Sequence, residues 1–179
     1  MSYLLVTLGV LGPRDGRRDA GDHRADRRRP RIRRGKVALL NAAVGDYAAE
    51  ARVLLLANDG YWPARLRAAG VITVEAEPVG GQLWARIEWA ELDDARADGR
   101  LPGSPEGLAV LRVAVSLADG RPVDLAEVAV ALDRRTLGLV LAAVAHAAGS
   151  HDHSAPAPPA HGADADLRLG PLVAWPARH

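Results

Sequence analysis

The stretch DLAEVAVALDRRTLGLVLAAVAHAAGSHDH, residues 124–153, decides the fold, because one helix inside it sets what the rest of the chain must cover. From Arg134 onward, Leu137, Val140, Leu141, Val144 and Ala148 recur at the i, i+3, i+4, i+7 and i+11 spacing that lines one face of a helix with 3.6 residues per turn. The other side carries Leu139, Ala142, Ala143 and His146, so little polar surface remains, and a helix that is apolar all round is normally buried. Asp133 suits the N-cap, and Gly149 suits a left-handed C-terminal cap. The spacing therefore predicts a central buried helix over about 134–148, with a core face on which a charge at Leu141 would unfold the domain.

Toward the N-terminus, Asp124-Leu125-Ala126-Glu127 has the spacing of a capping box and starts a short helix to about Leu132. Ser104 and Pro105 open another helix, with Leu108, Leu111, Val115 and Ala118 as its stripe. Two strands precede it. The first, 71–77, is β-branched at its start, and in 83–89 Leu83, Ala85, Ile87 and Trp89 alternate with Trp84, Arg86 and Glu88. The connector Pro78-Val79-Gly80-Gly81-Gln82 supplies the hairpin loop, and a two-stranded hairpin needs helices to cover its apolar face. Those helices are a short one from Val37, one capped by Asp46 and running to about Ala57, one opened by Trp62-Pro63 and stopped by Gly70, and an acidic one near 90–97. The fold class is α+β: a mostly helical single domain with one antiparallel β-hairpin (about 71–77 and 83–89) and the central helix.

With 179 residues, 49% of them hydrophobic, the chain has material for one domain with a real core. Its formal net charge of +1 hides an uneven distribution: residues 13–36 hold ten arginines and Lys36 against four aspartates, a local net of +7 that leaves −6 elsewhere. Residues 1–36 are expected to be a disordered basic leader, read either as an arm with weak, non-specific affinity for nucleic acid or as sequence upstream of the native coding start. The globular domain is placed at 37–153, and the Pro- and Ala-rich 154–179 is expected to be a mostly disordered tail in which Leu169, Leu172, Val173 and Trp175 could dock. Arginine outnumbers lysine 22 to 1 and phenylalanine is absent, a bias typical of GC-rich coding, so arginine content alone does not indicate a nucleic-acid partner. The absence of cysteine excludes disulfides, thiolate nucleophiles and cysteine zinc sites, and fits a reducing compartment. The apolar run Tyr3–Leu11 lacks a basic flank and is too short to span a bilayer, so a cytoplasmic location without membrane association is expected.

Three groups of residues could carry function. His146, His151 and His153 crowd the end of the central helix, and neutral imidazoles at such spacing could ligate Zn²⁺ or Ni²⁺ if Asp152 or a distant side chain completed the set; a helix dipole alone also explains a histidine there. Arg65 and Arg67, on the short helix before the hairpin, have the order of a winged helix-turn-helix with Gly80-Gly81 as wing tip. Tyr61, Trp62 and Trp84 could anchor a protein partner, Trp84 above all, because alternation turns it away from the inner hairpin face. No P-loop, G-x-G-x-x-G, H-E-x-x-H or G-x-S-x-G occurs, so no enzyme and no cofactor are expected.

The segments ALLNAAVGDYAAEARVLLLANDGYW, LWARIEWAELDDARADGRLPGS and LRVAVSLADGRPVDLAEVAVALDRRTLGLVLAAVAHAAGSH resemble a group of small uncharacterised proteins common in actinobacteria. The resemblance lies within 37–153 and implies the domain limits and the cytoplasmic location, but no catalytic residue. The expected function is a protein-interaction or regulatory module, with a winged-helix DNA-binding protein and a histidine-rich metal-binding protein as alternatives.

Overall fold

Several helices here start at side chains that accept the backbone N–H groups a first turn leaves unpaired. The computed structural model describes residues 37–76, 83–156 and 166–177, and its first helix, α1, covers 37–41. Helix α2, Tyr47–Asp59, begins at Asp46, whose carboxylate accepts the Ala49 N–H at 2.9 Å. Helix α3, Trp62–Ala68, has Pro63 in its first turn, and a 3₁₀ turn at Trp89–Glu91 leads into α4, Leu92–Ala97. Helix α5, Pro105–Asp119, is capped by Ser104, and α7, Arg134–Ala147, by Asp133, whose Oδ1 accepts the Thr136 N–H at 2.6 Å. Helix α6, Leu125–Ala131, uses half of its capping box: Asp124 accepts the Ala126 and Glu127 N–H groups, while the Glu127 carboxylate turns to Arg112 at 2.6 Å.

Helix α2 is the element the others share, packing along both α5 and α7. Leu55, Trp62, Leu66, Leu92, Val110 and Leu139 are the large side chains sealed at the centre. Burying each leucine or valine contributes roughly 1.5–3 kcal/mol before ordering costs.

Helix α7 differs from the expected core face. Its inward stripe is Thr136, Leu139, Val140 and Ala143, flanked by Ala142 and Ala145, while Leu141 and Val144 stay 50% and 52% exposed and Ala148 is exposed. Both stripes have helical spacing and share only Val140, so periodicity cannot choose between them. The side rich in alanine packs inward, and a charge at Leu141 is not expected to unfold the domain.

Strands β1, Ile72–Ala76, and β2, Leu83–Ile87, pair antiparallel, with Ile72 opposite Ile87 and Glu75 opposite Trp84. Ala85 and Ile87 are buried, whereas Trp84 and Arg86 are exposed, as alternation requires. The connector with Gly80-Gly81 lies outside the described residues, as does the leader 1–36.

Past α7, Gly149 takes φ +70° and a 3₁₀ turn, Ser150–Asp152, leads into β3, Ser154–Pro156. Strand β3 pairs antiparallel with β4, Asp166–Arg168, a second small hairpin inside the stretch expected to be mostly disordered. Beyond it, Trp175 packs on the core, and Pro176 lies so close to α7 that a Cβ on Gly138 would sit 3.2 Å from its ring. Of the residues expected to be able to dock, Trp175 does so, while Leu169 and Leu172 stay 47% and 81% exposed, and composition misses the strand pairing because backbone pairing needs no periodic apolar face. Among the described residues no helix is long and apolar enough to cross a membrane.

Candidate metal centre

The orientation of α7 decides where His146 points. His146 is three residues beyond Ala143 and seven beyond Leu139, so it continues the inward stripe and meets the first turns of α2. There Glu50 is waiting: His146 Nε2 lies 3.0 Å from Glu50 Oε2, with the side chains only 14% and 23% exposed. The other oxygen of Glu50 accepts the Gly45 N–H at 3.2 Å, which fixes the carboxylate from the far side.

The turn after Gly149 folds His151 back over His146. The two imidazoles stack with centroids 4.2 Å apart and planes 12° from parallel. Tyr47, three residues before Glu50 on α2, meets His151 edge-on at 4.8 Å and donates its hydroxyl to Asp152 Oδ2 at 2.6 Å. Arg168 donates to the other Asp152 oxygen at 2.6 Å. These two donors, Tyr47 first, hold the Asp152 carboxyl below its ordinary range, and the same bond raises the Tyr47 hydroxyl.

Glu50, His146 and His151 each offer one donor atom, and these atoms lie within 4.8 Å of one another. His151 Nδ1 is buried and has no hydrogen-bond partner among the described residues. A buried polar atom left unpaired costs about 1–3 kcal/mol, which makes this imidazole, grouped with the Glu50 carboxylate, a candidate ligand. Two imidazoles and one carboxylate suit zinc and its neighbours, at bond lengths of about 2.0–2.2 Å.

The sequence-derived set changes by one member. His146 and His151 come together as expected, but His153 is exposed and lies outside the group, because the extended backbone after the turn carries it away. Glu50 takes its place from 96 residues away in the chain. The local sequence gave no sign of this.

The other candidates fall elsewhere. Trp62 is fully buried and donates from Nε1 to the Gly107 carbonyl at 2.8 Å, so it is a core residue and not a partner anchor. Tyr61 packs edge-on against it and donates to the Pro102 carbonyl, which gives it a structural role as well. Trp84 is 40% exposed and lines a shallow groove with Ala42, Thr73, Glu75, Ala85 and Arg86, whose wall is more apolar than polar. Arg65 and Arg67 are both exposed, but residues two positions apart on a helix point about 200° from each other, and Arg65 is folded over the Tyr61 ring at 3.5 Å. They do not form one basic face.

No protein-family model, curated protein or solved structure matches the chain.

Proposed function

We propose that this domain is a non-enzymatic metal-binding module that holds one divalent transition-metal ion through Glu50, His146 and His151. The observation that carries this reading is the convergence of three donor atoms within 4.8 Å, one imidazole having a buried, unpaired nitrogen. The ion would tie the start of α2 to the end of α7, a structural or regulatory role. Cytoplasmic residence belongs to the same reading and is supported by a chain without cysteine. Calorimetric titration of the full chain with Zn²⁺ is the test. Binding of one equivalent is expected, weakened about tenfold or more by Glu50→Gln or His151→Ala and unchanged by His153→Ala. Binding indifferent to Glu50→Gln would overturn the assignment.

A protein-interaction role is the second reading, favoured by Leu141 and Val144, each half-exposed on the outward side of α7. A partner presenting an apolar surface would cover both. The double variant Leu141→Gln, Val144→Gln should keep its fold and lose such a partner in affinity purification from the host. An unchanged set of captured proteins would sink this reading.

A further inference from the structure

The residues on either side of His151 all hold the C-terminal segment. Ser150 Oγ accepts the Leu172 N–H at 3.3 Å, the Asp152 carboxylate accepts Arg168 at 2.6 Å, and the His153 carbonyl accepts the Leu169 N–H at 2.9 Å. Strand pairing of Ser154 with Arg168 continues the same attachment. His146 also faces this segment, since the Trp175 ring centroid stands 6.2 Å from its own. Residues 166–176 therefore run as a strap over the turn that carries one candidate ligand and past the helix end that carries another.

The three ligands are not equally free to move. Glu50 and His146 stand on helices packed along each other, whereas His151 stands on a three-residue 3₁₀ turn. A tetrahedral ion at about 2.0–2.1 Å from each donor needs donor atoms about 3.3 Å apart with lone pairs that converge on it; Glu50 Oε2 and His146 Nε2 already stand 3.0 Å apart, so the remaining adjustment is that of His151, whose ring lies parallel to the His146 ring. Packed helices resist displacement, so that adjustment falls on the turn, to which the strap is attached.

We infer that metal binding at Glu50, His146 and His151 and the seating of residues 166–176 are positively coupled, making the C-terminal segment a metal-responsive strap; this rests on the metal-binding reading. A seated strap keeps His151 over His146 and so lowers the cost of assembling the site. By reciprocity, a bound ion tightens the strap by the same factor. Trp175 is the main anchor, because it packs on the core, while the Arg168–Asp152 pair is exposed and contributes less.

The test uses the full chain with Zn²⁺ alone as the probe. Saturating zinc should slow amide hydrogen exchange at Leu169 and Leu172 about five- to tenfold. Trp175→Ala should weaken zinc binding by a similar factor, and Arg168→Ala, which leaves the core untouched, by about two- to threefold. Arg112→Ala, which removes the distant pair with Glu127, should leave zinc affinity unchanged. If zinc binds through Glu50 but the two amides exchange as fast as before and both strap variants bind as tightly as wild type, the coupling is wrong and the metal site stands. Absence of Glu50-dependent zinc binding removes both.

Discussion

At Gly149 one missing Cβ satisfies two demands. Its φ of +70° is a left-handed conformation that side-chain-bearing residues resist, and a Cβ there would stand 3.1 Å from two carbons of the Tyr47 ring. Gly120 shares the conformation, φ +67°, but has nothing within 4 Å. Gly120→Ala should therefore cost about 1 kcal/mol, the backbone strain alone, and Gly149→Ala about 2 kcal/mol or more, because the ring over His151 must also shift. Urea unfolding of the two variants compares them directly, and equal losses would show that Tyr47 is free to move aside. The backbone part of this was legible in the sequence: Gly149 follows an apolar helix, as Gly120 follows Asp119. The crowding was not, since Tyr47 comes from the opposite end of the domain. The same division runs through the polar residues. Asp46, Ser104, Asp124 and Asp133 were readable as caps because each acts within three residues of itself, whereas Glu50 acts on His146 across 96 positions.

Elements were readable to the extent that their signals are local and one-sided. The hairpin has one buried face, so alternation alone turned Ala85 and Ile87 inward and Trp84 outward. Helix α7 has apolar residues on every side, and the pattern offered two stripes of equal regularity. The larger residues suggested the wrong one. Leu141 and Val144 face outward because the alanines at 142, 143 and 145 present a smoother surface along which another helix can pack closely. That choice has a chemical consequence. Had the leucine-rich side packed inward, His146 would point away from α2, and no site would form with Glu50. The strap was readable only in its tryptophan: residues 166–176 attach through backbone pairing and one ion pair as well, neither of which leaves a periodic trace.

For the molecule as a whole, stability against acid is the sum of contributions with opposite signs. Glu88 lies below its ordinary range because Arg86 and then Thr73 donate to it, and Asp133 because the Thr136 N–H and hydroxyl do. For both, the folded chain binds a proton less readily than the unfolded chain. Their contribution is complete above an unfolded value of about 4 and is lost as pH falls through the lower folded value. Asp59 has the reverse sign. Burial raises it, a cost only partly offset by the Tyr61 N–H at 3.2 Å, so its contribution is present in acid and is lost as pH rises through the raised value. Asp133→Asn keeps a capping oxygen but cannot titrate, so the fall in urea midpoint between pH 7 and pH 3 should become smaller (conditions chosen to bracket the carboxylate range of about 4). Asp59→Asn keeps an acceptor for Tyr61 and removes a half-buried charge. It should raise the midpoint at neutral pH and make the fall larger, because a group that gains in acid is gone. Movement of both variants in the same direction would show that the acid response does not follow these carboxylates.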